Sequence, residues 1–97
     1  MKVKDLRARN KVPSIELLLI EKGDPRSFTS RDGVTGRVCD ALGKDDDGDT
    51  VSVTLWNEEI DQVDVNDRIR ITDGWVSEWQ GNLQVSAGRY GKLEVLE

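Results

Sequence analysis

The chain has 97 residues, 36% of them hydrophobic and 34% charged, with a formal net charge of −5, which is the size and make-up of one small folded domain. It contains no histidine and one cysteine, Cys39. Those two counts exclude a Ser-His-Asp triad, a Cys-His dyad, a His-ligated metal, an internal disulfide and a thiolate zinc cluster, so a non-catalytic protein with no metal and no cofactor is expected.

Residues 1–10 carry charges with no apolar run behind them, and Leu17 to Ile20 is the longest apolar stretch. That is far too short to span a bilayer, so no membrane association is expected, and one thiol suits a reducing cytoplasm. Residues 12–22 place Ile15, Leu17 and Leu19 on one face and Leu18 and Ile20 on the other, which predicts a long strand buried on both faces. Gly23, Asp24 and Pro25 break it. Residues 26–31 form a hairpin arm, Asp32-Gly33 its turn, and residues 34–42 the next strand. Gly43 to Asp49 reads as a solvated acidic loop. In residues 51–56, Val51, Val53 and Leu55 point one way, and Ser52, Thr54 and Trp56 the other. Asn57 to Val63 suits a short helix with Ile60 and Val63 inward, and Asn66-Asp67 turns the chain. The strand from Arg68 alternates through Ile69 and Ile71, but Val76 breaks the parity, so a register slip of the β-bulge kind is expected at Gly74. Trp75, Ser77 and Trp79 then share the outward face. Gln80-Gly81-Asn82 turns; Leu83, Val85 and Ala87 return inward; Gly88 and Gly91 bracket a last turn before Leu93 to Leu96.

The class is all-β. Five short, bent strands with one helix between the third and fourth predict a small closed barrel, because closure removes exposed strand edges. The position of the helix favours the oligonucleotide/oligosaccharide-binding (OB) barrel over an SH3-like one.

Two motif matches fail. Gly43 to Thr50 resembles a phosphate loop but has Asp49 where the lysine is needed, and its four aspartates would repel phosphate. As a calcium loop it puts Gly43 and Thr54 at ligand positions that require carboxylates, leaving weak adventitious cation binding at most. Cys39, inside a strand, reads as a small buried hydrophobe.

Net charge alone points away from nucleic acid, yet the charge is unevenly spread. Residues 1–44 hold ten Lys/Arg against six Asp/Glu, and residues 45–97 hold four against thirteen. A locally positive groove survives that balance. Three of the five aromatic residues are tryptophan. Tryptophans usually fill cores, but strand parity puts Trp56, Trp75 and Trp79 on polar faces. Flat rings on a barrel surface suit unpaired bases, since every base has a π-face. Arg26, Arg31, Arg68, Arg70 and Arg89 are the candidate phosphate contacts.

The runs Val51 to Trp56, Val65 to Ile71, Gly74 to Gly81 and Leu83 to Gly88 resemble the OB domain of archaeal single-stranded-DNA-binding proteins, and are similar to modules of the replication protein A family. The resemblance covers about residues 3–95 and includes the Lys2 to Leu6 opening. It implies that the rings at 56, 75 and 79 stack on bases, that Arg26 and Arg31 contact the strand, and that Phe28 between them is a further stacker. Residues 1–97 are thus read as a single OB-fold nucleic-acid-binding domain, monomeric, cytoplasmic and nucleoid-associated, taking single-stranded DNA or RNA and replication or repair proteins as partners. Two departures stand out: the Asp45–Asp49 loop is longer and more acidic than the family's, and no Gly-rich acidic tail follows, as in one module of a longer chain. A protein-interaction OB module and an RNA or tRNA binder remain alternative readings of the same surface.

Overall fold

The computed structural model describes residues 1–87 and 91–96. A 3-10 turn, Val3–Asp5, precedes β1 (Lys11–Lys22), β2 (Arg26–Thr29), β3 (Thr35–Lys44), β4 (Thr50–Trp56), helix α1 (Glu58–Gln62), β5 (Arg68–Trp79), β6 (Asn82–Ser86) and β7 (Lys92–Val95). Five of these strands close into a ring in the order β1-β3-β4-β6-β5, with β5 pairing back onto β1. The twelve-residue length of β1 makes closure possible, because Lys11–Leu18 pairs with β5 while Leu18–Lys22 pairs with β3. The two short strands are additions to this ring: β2 continues the sheet beside β3 as a hairpin through the Ser30–Gly33 turn, and β7 lies beside β5. The closed five-stranded ring and the helix between its third and fourth strands agree with the sequence reading.

Alternation builds the core. Val12, Ile15, Leu17, Leu19, Val53, Leu55, Ile69, Ile71, Val76 and Val85 are buried inside the ring, joined by Ile60 of α1 and Val63 just beyond it. Cys39 is buried with them; its Sγ donates to the Gly23 carbonyl at 3.1 Å, and burial pushes the thiol up. One expectation for β1 needs correction: Leu18 and Ile20 are only half-buried. A sheet closed on itself has one interior, so the second face of its longest strand stays at the surface.

A second correction concerns β5. The inward side does switch, from Ile69 and Ile71 to Gly74 and Val76, but the pairing with β1 keeps its register through the switch. Asp73 has φ +53°, and opposite it stands Pro13, which has no N–H to donate to the ladder. Both strands turn over together at this point, and no residue is inserted. Gly74 lies so close to β6 that a Cβ there would sit 2.6 Å from the Ser86 carbonyl oxygen, which is why the turnover falls at a glycine.

The acidic loop differs most from its sequence reading. Asp45 is buried, and its carboxylate accepts N–H groups from Val3 at 2.8 Å and from Asp47 and Asp49 at 3.0 Å each. Lys2 and Lys4 reach Asp46 and Asp47 at 3.6–3.9 Å, and Arg68 reaches Asp46 at 3.5 Å. The loop is therefore a clasp on the N-terminal 3-10 turn, and much of its charge is matched locally. The Asp45, Asp47 and Asp49 oxygens lie within 4.8 Å of one another, but both Asp45 oxygens are already engaged by backbone donors.

The Val3 N–H above all holds the Asp45 carboxyl below the usual carboxylate range, and the Arg37 guanidinium does the same for Asp61. A carboxyl with a depressed folded pKa adds stability above its unfolded pKa and loses it as pH falls through the folded value. Melting temperature should therefore fall as pH drops from the ordinary carboxylate range into more acid solution. Asp45→Asn should melt earlier at neutral pH and show a flatter acid limb; a variant with the parent's pH profile would remove Asp45 from this role.

Candidate nucleic-acid interface

The ring turns one face of β4, β6 and β5 to solvent. Cross-strand register places Ser52 beside Gln84 on β6, and Trp75 and Trp79 of β5 opposite Ser86 and Asn82. The resulting surface carries hydroxyls and amides with three indoles among them. Trp56 is 40% exposed, Trp75 42% and Trp79 65%, while Leu55 next to Trp56 and Val76 next to Trp75 are buried. Rings at Trp75 and Trp79 sit four residues apart on one strand, or about 13 Å at about 3.3 Å per residue. That spacing favours separate stacks on individual bases over one continuous stack.

Each ring is set by unusual backbone next to it. Asn57 (φ +50°) follows Trp56, Gln80 (φ +51°) follows Trp79, and Asp73 (φ +53°) stands two residues before Trp75. Positive φ is costly for residues other than glycine and is tolerated best by Asn and Asp. The Asn57 side chain also accepts the Arg37 N–H at 3.0 Å, tying the end of β4 to β3.

Phe28 meets Trp56 edge to face, with ring centroids 5.6 Å apart and planes at 89°. It is half-buried and lies across Gly36, where a Cβ would come within 2.6 Å of the ring. Phe28 thus braces Trp56 from the β3 side.

The arginines are spread more widely. Arg26 lies in the row Arg26–Val38–Trp56 and is bound to Asp40 at 2.9 Å. Arg31 is exposed at the tip of the β2–β3 hairpin. Arg70 pairs across the sheet with Glu16 and Glu94, with its guanidinium 3.9 Å from the Glu16 carboxylate; its strand neighbours are β1 and β7, not β6. Arg68 is engaged by Asp46, and Arg89 lies outside the described residues.

Sequence reasoning missed two lysines. Lys11 is the register partner of Trp75, and Lys92 shares a cleft with Trp56. Neither had a sequence signal, because only the β1–β5 and β5–β7 pairings bring them there. The cleft also holds Glu58, Glu59, Gln62 and Ser86. Glu59 accepts the Trp56 backbone N–H at 2.9 Å, and burial pushes its carboxyl above the usual glutamate range.

A closed five-stranded ring with its helix between the third and fourth strands is an OB fold, and similar solved structures carry that fold. Over all of this chain and 94% of its own, the second OB domain of replication protein A from Methanococcus maripaludis superposes with a TM-score of 0.80 at 24% identity. The replication factor A related protein from Methanobacterium thermoautotrophicum gives 0.79 at 23% identity, over all of this chain and 90% of that one. A replication protein A heterotrimer bound to single-stranded DNA contains a similar domain, with a TM-score of 0.72 at 17% identity over 99% of this chain and 24% of that one. No protein-family model matches the chain. Among the described residues, no helix is long and apolar enough to cross a membrane.

Proposed function

We propose that this chain is a single, non-catalytic OB domain that binds single-stranded DNA with little sequence preference, in replication or repair. Bases stack on Trp56, Trp75 and Trp79. Lys11, Lys92, Arg26 and Arg31 supply the nearby positive charge; Arg70, set between two glutamates, contributes least. The observation that carries the reading is the exposure of three indoles on one polar face, although Trp56 and Trp75 each stand next to a buried aliphatic residue, Leu55 and Val76. Large exposed rings are costly without a ligand, and stacking on unpaired bases is worth about 1–3 kcal/mol per base.

The test is a titration with oligo-dT, oligo-rU and a DNA duplex, followed by tryptophan fluorescence at several salt concentrations. Single strands should quench and the duplex should not. Several cations are already matched to carboxylates, so about two or three phosphates are neutralised. The expected log–log salt slope is then only about −1.5 to −2, at roughly 0.7 per phosphate for single strands. Quenching by the duplex alone, or a slope as steep as a basic duplex binder's, would contradict the reading. Stronger quenching by oligo-rU than by oligo-dT would make RNA the ligand.

A further inference from the structure

We propose that the cleft beside Trp56 is a base pocket that selects guanine at one position of a bound strand; this rests on the single-strand reading above. The cleft is lined by Trp56, Glu58, Glu59, Gln62, Ser86 and Lys92. Phe28 braces Trp56 from β2, across β3, whereas the cleft residues come from α1, β6 and β7 on the other flank of β4. A base stacked on Trp56 from within the cleft turns its edge toward Glu59 and Gln62. These two residues are three apart on α1 and so lie side by side on its surface.

The chemistry of this edge is selective. One Glu59 oxygen accepts the Trp56 N–H at 2.9 Å, which fixes the carboxylate; the other oxygen, and the second lone pair of the first, remain to accept from a ligand. Two neighbouring glutamates disfavour a phosphate inside the cleft, while Lys92 offers a cation to the backbone as it passes. The group that enters is thus a neutral base. Guanine presents N1–H and N2–H side by side, which suits a carboxylate, with O6 next to them as an acceptor for the Gln62 amide. Thymine presents one N–H between two carbonyls, and those repel a carboxylate. Adenine and cytosine each offer an amino group beside a ring-nitrogen acceptor, which is a poorer match. The stacking platform is indifferent to sequence; this cleft adds a choice at one base.

The test compares an oligo-dT of about twelve nucleotides, within the range one OB domain covers, with the same strand carrying one central dG, dI or dC. The dG strand should bind about tenfold more tightly than oligo-dT, within the range of a bidentate base contact, and dI, which lacks the N2 amino group, should lose most of that gain. Glu59→Gln should abolish the difference between dG and dT, since the amide keeps an acceptor for the Trp56 N–H but loses the carboxylate. Equal binding of dG and dT strands would overturn the pocket and leave the stacking platform standing. A dG gain that survives Glu59→Gln would also overturn it. A lysine peptide that quenches Trp56 where no dG gain exists would assign the cleft to a protein partner instead. Failure of every strand to bind would overturn both readings.

Discussion

Leu55→Ala is expected to cost about 2–5 kcal/mol of stability, the range for truncating a buried leucine. Leu55 is fully buried, and alanine would leave a cavity among the side chains of a single small core. A domain of this size holds about 5–15 kcal/mol in total, so the loss is a large share of it. Melting temperature should fall by about 10 °C or more, given about 4–8 °C per kcal/mol for domains of this length. Binding of oligo-dT, measured well below that midpoint, should be nearly unchanged. A Leu55→Ala protein that melts like the parent would mean the ring is not packed as described.

Trp56→Ala, one residue further on, should behave in the opposite way. It deletes a stack and opens no cavity, because the indole is on the solvent side of the sheet. Its aromatic partner is Phe28, in an edge-to-face contact worth about 0.5–1.5 kcal/mol. Oligo-dT binding should weaken by about 1–3 kcal/mol, while melting shifts less than in Leu55→Ala, by about 2–12 °C for a contact of that size. Trp75→Ala should do the same, and Trp79→Ala somewhat less, because Trp79 stands at the Gln80-Gly81 turn where the platform ends. A Trp56→Ala protein that melts as early as Leu55→Ala, or binds as well as the parent, would contradict the outward placement or its use.

The contrast between Leu55 and Trp56 was legible in the sequence because a strand alternates strictly and the polar partners Ser52 and Thr54 mark the outward side. Alternation also marks the switch of faces near Gly74 that puts Val76 inward and Trp75 and Trp79 outward, but the β-bulge it implies is not there, since the β1–β5 register runs through unbroken. Pro13 faces Asp73 only once β1 is paired with β5, and nothing in either segment announces the other. The arginines were harder still. A charged residue's role depends on its cross-strand neighbour, and Asp40 beside Arg26 or Glu16 beside Arg70 is a fact of register. Lys11 gives no signal for the same reason, since Trp75 is its neighbour only by register. Asp45 reads as solvated from sequence because its three donors, Val3, Asp47 and Asp49, are backbone groups with no sequence signature. Local periodicity reveals which way a side chain points; it does not reveal what stands next to it.

The most direct measurement of whether the tryptophan face takes single strands is a proton–nitrogen correlation spectrum of the indole N–H groups of the three tryptophans, recorded with and without oligo-dT. All three signals should move on addition of the single strand, each should disappear in the corresponding Trp→Ala variant, and none should move with duplex DNA. Indole signals that stay fixed, while backbone amides of the separate groove at Ile20, Leu42 and Val65 respond to the strand, would place the binding surface elsewhere and contradict the stacking platform.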